Sequence, residues 1–282
     1  MVTAARRWIA ASVIVVSLIP LGAQAPAFEV ASIKPDKSGE LSESANLTPG
    51  GEFTARHFTL QLLIAMSYAT GGPLPSYRMA GGPAWIATDR FDIIAKMPTP
   101  GGTPAESFAM LRTLLGERFH LRVHHEDREL PIFALVTDKP DARLGPKLHP
   151  STRDCSPAAT LGSQAAQTSD GAPTCGLRFG PGRLLGGNQT ISALALTLSR
   201  YLSRSVMDRT QLAGRYDMAL EWTPSPGEGL QTTAAPSAPP RGPDDGSSLV
   251  TAVKEQLGLR LESTRGPVDV LVIDNAERPT ID

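Results

Sequence analysis

The sequence predicts an α+β fold made of two tandem repeats, each a small sheet with two helices packed on it. Four blocks of the first half recur in the same order in the second half, which indicates an internal duplication. Apolar residues alternate over strand-length segments and recur every three to four residues over helix-length segments. We therefore expect each copy to run strand, helix, strand, helix, strand, strand.

The recurring blocks give the register of the duplication. Residues 58–64, 90–93, 114–119 and 131–138 correspond to residues 189–195, 215–218, 256–261 and 267–274. In the first copy, periodicity predicts a strand over 52–57, a helix over 59–69, a strand over 90–96, a helix over 105–115 and a hairpin over 118–136. Gly116 and its counterpart Gly258 stand in the C-cap region of a helix, where glycine is common.

Domain boundaries follow from these blocks and from composition. We expect a signal peptide at residues 1–25, a first repeat at 26–138, a cysteine-containing linker at 139–176 and a second repeat at 177–282. The Pro- and Gly-rich stretch 224–246 lengthens the second copy and predicts a disordered insertion.

The N-terminus predicts export. Arg6 and Arg7 precede an apolar run over 8–22, and the small residues Ala23 and Ala25 follow as cleavage positions. The run has about 15 residues, fewer than the roughly 20 that span a bilayer, so we expect cleavage and no permanent membrane span. The mature chain would then reside in the periplasm or outside the cell.

Cys155 and Cys175 are the only two cysteines of the chain. In an exported protein, a pair separated by a flexible stretch is most simply a disulfide. A metal site or a redox pair would need nearby histidines or a Cys-x-x-Cys spacing, and the sequence has neither.

The charge balance argues against nucleic-acid binding. Lys and Arg total 27 and Asp and Glu total 28, which gives a formal net charge of −1. A chain without basic excess has no general attraction to a phosphate backbone.

Two charged residues of each copy occupy matching positions. Arg90 and Asp92 flank an aromatic residue in the first copy, and Arg215 and Asp217 do so in the second. We expect them to fix the start of a strand through an ion pair or a turn contact. The alternative, in which Asp89 and Asp92 form an acid–base pair beside Arg90, would need a cleft and a raised pKa.

Several longer segments resemble a known family. They are residues 28–35 (FEVASIKP), 81–92 (GGPAWIATDRFD), 110–119 (MLRTLLGERF) and 208–217 (DRTQLAGRYD). They resemble an uncharacterised exported protein family abundant in soil acidobacteria, which implies no activity, substrate or catalytic residue. Each half also resembles, at the level of fold, the short N-terminal domain of secretins and TonB-dependent receptors. That resemblance implies small α+β modules used for protein contacts in the cell envelope.

Residues with catalytic potential do not form a recognised motif. His120 and His124 are the residues to consider as metal ligands, in a region that runs to Asp127, but their spacing matches no named zinc motif and Arg122 lies between them. Ser107 and Ser199 lie on predicted helices outside any Gly-x-Ser-x-Gly context.

The sequence leaves three functional hypotheses. The first is a non-enzymatic module without cofactor or metal that binds an envelope or extracellular protein or peptide through exposed strand edges. The second is an extracellular hydrolase or metal-dependent enzyme that uses residues 120–127. The third is a carrier that holds a small ligand between the two repeats, with a binding surface at Trp85 or Trp222.

Overall fold

A computed structural model describes residues 25–69, 72–139, 141, 143–155, 175–224 and 248–279. These residues form three four-stranded sheets and four α-helices. The strands are β1 (Val30–Pro35), β2 (Ser44–Leu47), β3 (Glu52–Thr59), β4 (Met79–Gly81), β5 (Arg90–Lys96), β6 (Arg122–Thr137), β7 (Leu148–Pro150), β8 (Gly176–Gly180), β9 (Arg183–Gln189), β10 (Val206–Asp208), β11 (Tyr216–Glu221) and β12 (Leu259–Asn275). The helices are α1 (Leu60–Ser67), α2 (Pro104–Arg118), α3 (Ile191–Tyr201) and α4 (Leu249–Leu257).

The three sheets differ in strand order and direction. The first sheet has the order β1-β5-β3-β2 and the third has the order β7-β11-β9-β8, and both are antiparallel. The central sheet has the order β10-β6-β12-β4. Its two inner strands are antiparallel to each other, whereas the short strands β10 and β4 run parallel to their neighbours.

The long inner strands define the architecture. β6 has 16 residues and β12 has 17, and they pair from Thr137 opposite Leu259 to Arg122 opposite Asn275. Because β6 belongs to the first half of the chain and β12 to the second, the central sheet joins both halves.

The predicted fold of two repeats, each with its own small sheet, is therefore wrong. The segment 118–136 is not a hairpin, because its charged residues 126–129 continue one strand and form no turn. The corresponding segment of the second half is also a single strand. These two strands pair with each other in a central sheet that both halves share, so the halves are not independent repeats, although the first sheet lies within residues 30–96 and the third within residues 148–221. The helix-and-hairpin pattern that resembled the secretin and TonB domain is likewise absent from the described residues.

Apolar side chains form two large cores, one toward each end of the strand β12. The first core includes Phe53, Leu63 and Leu115, and the second includes Leu194 and Val253. The long strands enter both cores. Leu271 and Ile273, near the end of β12, are buried in the first core, whereas Leu259 at its start is buried in the second.

A hydroxyl side chain caps the start of each of the four helices. Thr59, Thr103, Thr190 and Ser248 accept a hydrogen bond from a backbone N–H of the first turn of α1, α2, α3 and α4. Thr103 and Glu106 form a complete capping box on α2. Such caps satisfy amides that the helix itself leaves without partners.

The expected disulfide is present between Cys155 and Cys175, whose Cα atoms lie 5.8 Å apart. It joins the segment that follows β7 to the segment that precedes β8, the two outer strands of the third sheet. In the described part of the chain, no helix is long and apolar enough to cross a membrane. The predicted signal peptide, apart from residue 25, and nearly all of the predicted insertion at 224–246 lie outside the described residues.

Gly116 and Gly258 occupy different positions, although the sequence places them as equivalents. Gly258 ends α4 in the left-handed region at φ 68°, and a β-carbon there would lie 2.5 Å from the amide nitrogen of Gly145. Gly116 lies inside α2, which ends at Arg118, and a β-carbon there would meet nothing within 4 Å. The expectation of a C-cap at Gly116 is wrong.

We predict opposite effects of alanine at these two glycines. Gly258→Ala would lower the free energy of unfolding by about 2 kcal/mol or more, because left-handed backbone and the contact with Gly145 both oppose a β-carbon. Gly116→Ala would raise it by up to about 1 kcal/mol, because alanine favours the helix interior. Urea unfolding of both variants measures the difference, and equal effects of the two substitutions would contradict it.

Candidate functional site

A cavity of about 220 Å³ lies over the middle of β12. Residues 267–269 of β12 form one side of it. The connection 72–78 between α1 and β4 forms the second side, and α3 with the start of β10 forms the third. Its polar lining residues are Tyr77, Arg78, Ser199, Arg200, Ser205 and Asp269. Segments from both halves of the chain thus meet at one site.

Tyr77 brings a hydroxyl donor to the cavity. Burial is the largest effect on its phenol and raises the pKa of Tyr77 above the ordinary value of 10.0. Hydrogen bonding with Ser205 and Ser199 and the charges of Arg78 and Arg200 act in the opposite direction but are smaller. The phenol is therefore protonated and neutral at neutral pH.

Ser199 has a structural role in the cavity wall. Its Oγ donates to the Ala195 carbonyl at 2.8 Å and accepts from the Val206 amide at 2.8 Å. The hydroxyl thereby ties α3 to the start of β10. Because its proton is held by a carbonyl and not by a base, Ser199 lacks the partner that a nucleophilic serine needs.

An ion pair fixes Arg78 beside β12. Its Nε donates to the Asp269 carbonyl at 2.8 Å and its Nη2 to Asp269 Oδ2 at 2.6 Å. Asp269 Oδ1 is hydrogen-bonded to His125 Nδ1 at 2.7 Å. Both carboxylate oxygens are therefore occupied, and the guanidinium is held in one orientation.

Arg200 lies directly against the backbone of Gly72. A β-carbon on Gly72 would lie 2.3 Å from Arg200 Nη2 and 2.6 Å from its Cζ. Gly72 also has φ 144°, a backbone conformation that other residues rarely adopt. The sequence thus has a glycine at the position where the Arg200 guanidinium lies against the backbone.

The remaining lining of the cavity is apolar. Besides Gly72, it consists of Pro73, Leu74, Pro75, Leu196, Val206, Met207, Pro267 and Val268. Leu196 is 51% exposed and stands at the mouth. The charged residues of the lining are Arg78, Arg200 and Asp269.

A second, wider depression of about 430 Å³ lies beside residues 36–41 and 88–91. Next to it, Asp36 Oδ2 contacts His57 Nδ1 at 2.8 Å, and Ser38 Oγ contacts the same nitrogen at 3.3 Å. A catalytic triad needs the serine and the carboxylate on different nitrogens of the imidazole. This Ser-His-Asp group therefore cannot relay a proton from serine to histidine.

Arg90 and Asp92 support the end of the neighbouring strand β3. The Asp92 carboxylate accepts from the His57 amide at 2.9 Å, Arg90 donates to the His57 carbonyl, and His57 itself has φ 62°. The pairing of β3 with β5 is irregular at this point, which lies just before the N-cap Thr59. The two side chains thus hold a left-handed residue at a strand-to-helix junction.

Arg215 and Asp217 make the same arrangement around Asn188, which has φ 54°. The Asn188 amide donates to Asp217 Oδ1 at 2.9 Å, and Arg215 donates to the Asn188 carbonyl at 3.0 Å. Burial acts to raise the pKa of Asp217, but hydrogen bonds from Asn188 and Arg153 outweigh it and lower that pKa overall. These charged residues are part of the scaffold beside α3.

The histidines of residues 120–125 point to separate carboxylates. His120 pairs with Glu277 at 3.2 Å, and His124 pairs with Asp274 at 2.9 Å. His125 pairs with Asp269, as described above. Within the described ranges, no group of three or more His, Cys, Asp and Glu side chains is placed to hold a metal ion.

The two tryptophans considered as a binding surface lie in different environments. Trp85 is half-buried, packs edge-on against Phe91, and carries the Arg278 guanidinium 5.1 Å from its ring centre. Trp222 is only 7% exposed and packs edge-on against Tyr201 in the second core. Neither residue lines the cavity, and the burial of Trp222 leaves no surface there for a ligand.

Comparison with known proteins gives one match. A family model described as "Protein of unknown function (DUF3738)" covers residues 61–276. The chain belongs to this family. No curated protein and no solved structure matches it.

The segment shared with the DUF3738 family contains every residue that lines the cavity. In contrast, Asp36, Ser38 and His57 precede the matched segment, and Arg278 follows it. The cavity therefore lies wholly within the segment that matches the family model. The match agrees with the expected resemblance to an uncharacterised family, whereas export and occurrence in soil acidobacteria stay predictions.

Sequence reasoning missed the main residues of this site. Tyr77, Arg78 and Arg200 belong to no motif, and Ser199 is singled out only as a weak nucleophile. The available signal is modest: the segment 72–78 places Tyr77 and Arg78 among a glycine and two prolines, a composition that predicts only a turn. Their convergence requires β4 and β10 to dock on the central sheet, which local sequence does not specify.

We predict that Asp36 contributes to stability in a pH-dependent way. Hydrogen bonds from the Ser38 amide and from His57 lower the pKa of Asp36 from 3.8 to about 2, and the side chain is 4% exposed. A lowered folded-state pKa contributes stability that is complete above pH 4 and is lost as the pH falls toward about 2.

Asp36→Asn would lower the free energy of unfolding at neutral pH and reduce its loss between about pH 4 and pH 2. Urea unfolding across this range measures both effects. Asp127→Asn, at an exposed position of β6, is the control and should behave like the wild type. An unchanged acid transition in the Asp36 variant would refute the prediction.

Proposed function

We propose that this chain is an exported binding protein that carries a small molecule in the cavity over β12. The observation that carries the proposal is the convergence of hydroxyl and guanidinium donors from three separate segments on one apolar-walled space. Binding sites typically combine an apolar lining with a few such polar groups. This is the small-ligand carrier among the hypotheses from sequence, with the ligand between segments of the two halves and away from Trp85 and Trp222.

Binding fits the cavity better than catalysis. Tyr77 is a protonated phenol, Ser199 donates to a backbone carbonyl, and Asp269 is held by Arg78 and His125. Among the described lining residues, no nucleophile therefore lies next to a base that could activate it. The alternative of a metal-dependent enzyme at residues 120–127 lacks support, because each histidine there pairs with a different carboxylate.

Recognition of a peptide through a strand edge stays a prediction. β10 pairs with β6 only at residues 133–135. No described strand pairs with this edge of β6 over residues 122–132. Charged side chains fill most of residues 122–129, and proteins commonly use charged edges to prevent strand addition. The cavity therefore supports a specific function better than this edge does.

Two features support export. The first 25 residues have the layout of a cleaved signal, with Arg6 and Arg7 before an apolar run. The Cys155–Cys175 disulfide is typical of proteins that fold in an oxidising compartment. The proposal places the protein in the periplasm or outside the cell.

We predict a processed N-terminus. Protein recovered from the host's periplasmic and extracellular fractions should begin at Gln24 or Pro26, because cleavage would follow Ala23 or Ala25. N-terminal sequencing and intact mass measure this directly. Recovery of the unprocessed chain from the cytoplasm alone would contradict export.

We predict that a bulky residue at the mouth of the cavity prevents ligand retention. Leu196→Trp would place an indole over the cavity, whereas the matched control Leu62→Trp changes a leucine of α1 that is 38% exposed and does not line the cavity. The full chain and both variants would be expressed in the native host and purified. Native mass spectrometry and solvent extraction would then identify any bound mass.

The wild type and Leu62→Trp should carry the same small molecule, and Leu196→Trp should carry little of it. Circular dichroism at increasing temperature would establish that both variants are folded. Absence of a bound mass from all three proteins, or an equal amount in all three, would overturn the carrier function.

A further inference from the structure

We infer that the cavity over β12 selects a small, neutral and mostly apolar molecule, about the size of one ring with a short substituent. This inference rests on the proposed carrier function and specifies the chemical class of the ligand. It follows from three features of the cavity. The polar side chains of the lining already have partners in the protein, the rest of the wall is apolar, and the volume is small.

The hydroxyl groups of the lining are engaged with one another and with the backbone. The Tyr77 phenol hydrogen-bonds with the hydroxyls of Ser205 and Ser199. Ser199 Oγ also donates to the Ala195 carbonyl at 2.8 Å and accepts from the Val206 amide at 2.8 Å. These hydroxyl groups therefore hold the walls of the cavity together.

The charged side chains of the lining are engaged as well. Arg78 donates to the carbonyl and to one carboxylate oxygen of Asp269, and the other carboxylate oxygen is hydrogen-bonded to His125. Arg78 and Asp269 are in direct contact, so each compensates the charge of the other. Arg200 packs against the backbone of Gly72 and has an interaction partner of its own.

A charged or strongly polar ligand therefore gains little in this cavity. Its charge would lose hydration on entry, and a charge removed from water needs a partner. To supply one, the protein would have to release Arg78 from Asp269, Arg200 from its own contact, or Tyr77 from the two serines. A buried group that loses its partner costs as much as the new hydrogen bond gains, or more. A neutral apolar molecule leaves all of these contacts intact.

The apolar side chains of the lining supply the contact surface. Leu74, Val206 and Val268 are at most 8% exposed, and the lining also contains Met207 and three prolines. Proline has a fixed φ, and the Leu74 amide donates to the Ala65 carbonyl at 2.9 Å. This part of the wall is therefore formed before a ligand arrives, which lowers the entropic cost of binding. Burial of hydrocarbon surface against it favours the bound state.

The volume sets the size of the ligand. An engineered apolar cavity of about 150 Å³ holds benzene, and sites for drug-sized molecules begin at roughly 300 Å³. At about 220 Å³, the cavity over β12 lies between these two volumes. We therefore expect a single ring with a short alkyl group to fit, and two fused rings with the same group to exceed the space.

Binding of neutral and charged probes of similar shape to the full chain would test the inference. The chain would be unfolded with its disulfide intact, freed of any bound molecule and refolded. The probes are ethylbenzene, benzylammonium, benzoate and ethylnaphthalene, and NMR titration of the isotope-labelled protein measures their affinities. Ethylbenzene should bind with a dissociation constant below about 1 mM, and the two charged probes at least about tenfold more weakly. Ethylnaphthalene should also bind at least about tenfold more weakly, because it exceeds the volume.

Two matched pairs of variants assign the binding to this cavity. Val268→Thr keeps the shape of the side chain but adds a hydroxyl to the apolar wall, so ethylbenzene should bind about tenfold more weakly. Val272→Thr makes the same change on the same strand outside the cavity and should leave the affinity unchanged. Leu196→Trp should abolish binding, whereas Leu62→Trp should not weaken it. Circular dichroism would establish that all four variants are folded.

The outcomes separate this inference from the carrier function. If benzoate or benzylammonium binds as tightly as ethylbenzene and Leu196→Trp prevents it, the cavity carries a ligand but the inferred class is wrong. Equal binding of ethylnaphthalene would overturn the size limit. If no probe binds below about 1 mM, or if Val268→Thr and Leu196→Trp both retain full affinity while folded, the inference is also wrong. The bound mass from the native host decides the carrier function independently, and a charged molecule found there would contradict the inference.

Discussion

Antiparallel pairing of β6 with β12 is the constraint on which the rest of the structure depends. The two strands come from opposite halves of the chain and remain paired from Thr137 opposite Leu259 to Arg122 opposite Asn275. One end of this pair is buried in each of the two main cores. Separation of the strands would expose apolar residues at both ends, so the two cores are coupled by a common element. For the same reason, removal of the second half of the chain would take away the partner of β6.

The cavity is a consequence of how short strands dock on this pair. β4 joins β12 at residues 271–273, and β10 joins β6 at residues 133–135. Residues 267–269 of β12 lie between these two positions along the pair. The connection before β4 and the helix before β10 both line the cavity beside residues 267–269. Tyr77 from one side reaches Ser199 and Ser205 from the other.

Charged residues support the backbone at irregular strand ends, whereas those of the cavity line a space with an apolar wall. Asp92 and Asp217 satisfy the amides of His57 and Asn188 at irregular strand ends. There, each carboxylate matches an amide that the sheet leaves without a partner. In the cavity, by contrast, Tyr77, Arg78 and Arg200 come from separate segments and meet beside an apolar wall. A few polar groups set in an apolar lining are typical of binding sites.

The sequence by itself determined several local elements and the disulfide. β5 occupies the predicted residues 90–96, α2 extends the predicted 105–115 by a few residues, and Cys155 bonds to Cys175. Periodicity is a property of neighbouring residues, so a linear pattern records it. Only the tertiary structure decided that residues 122–137 and 259–275 form long strands that pair across the two halves. It alone also brought Tyr77 and Arg78 to Arg200. Strand partners and the convergence of distant side chains depend on long-range packing, which no single segment encodes.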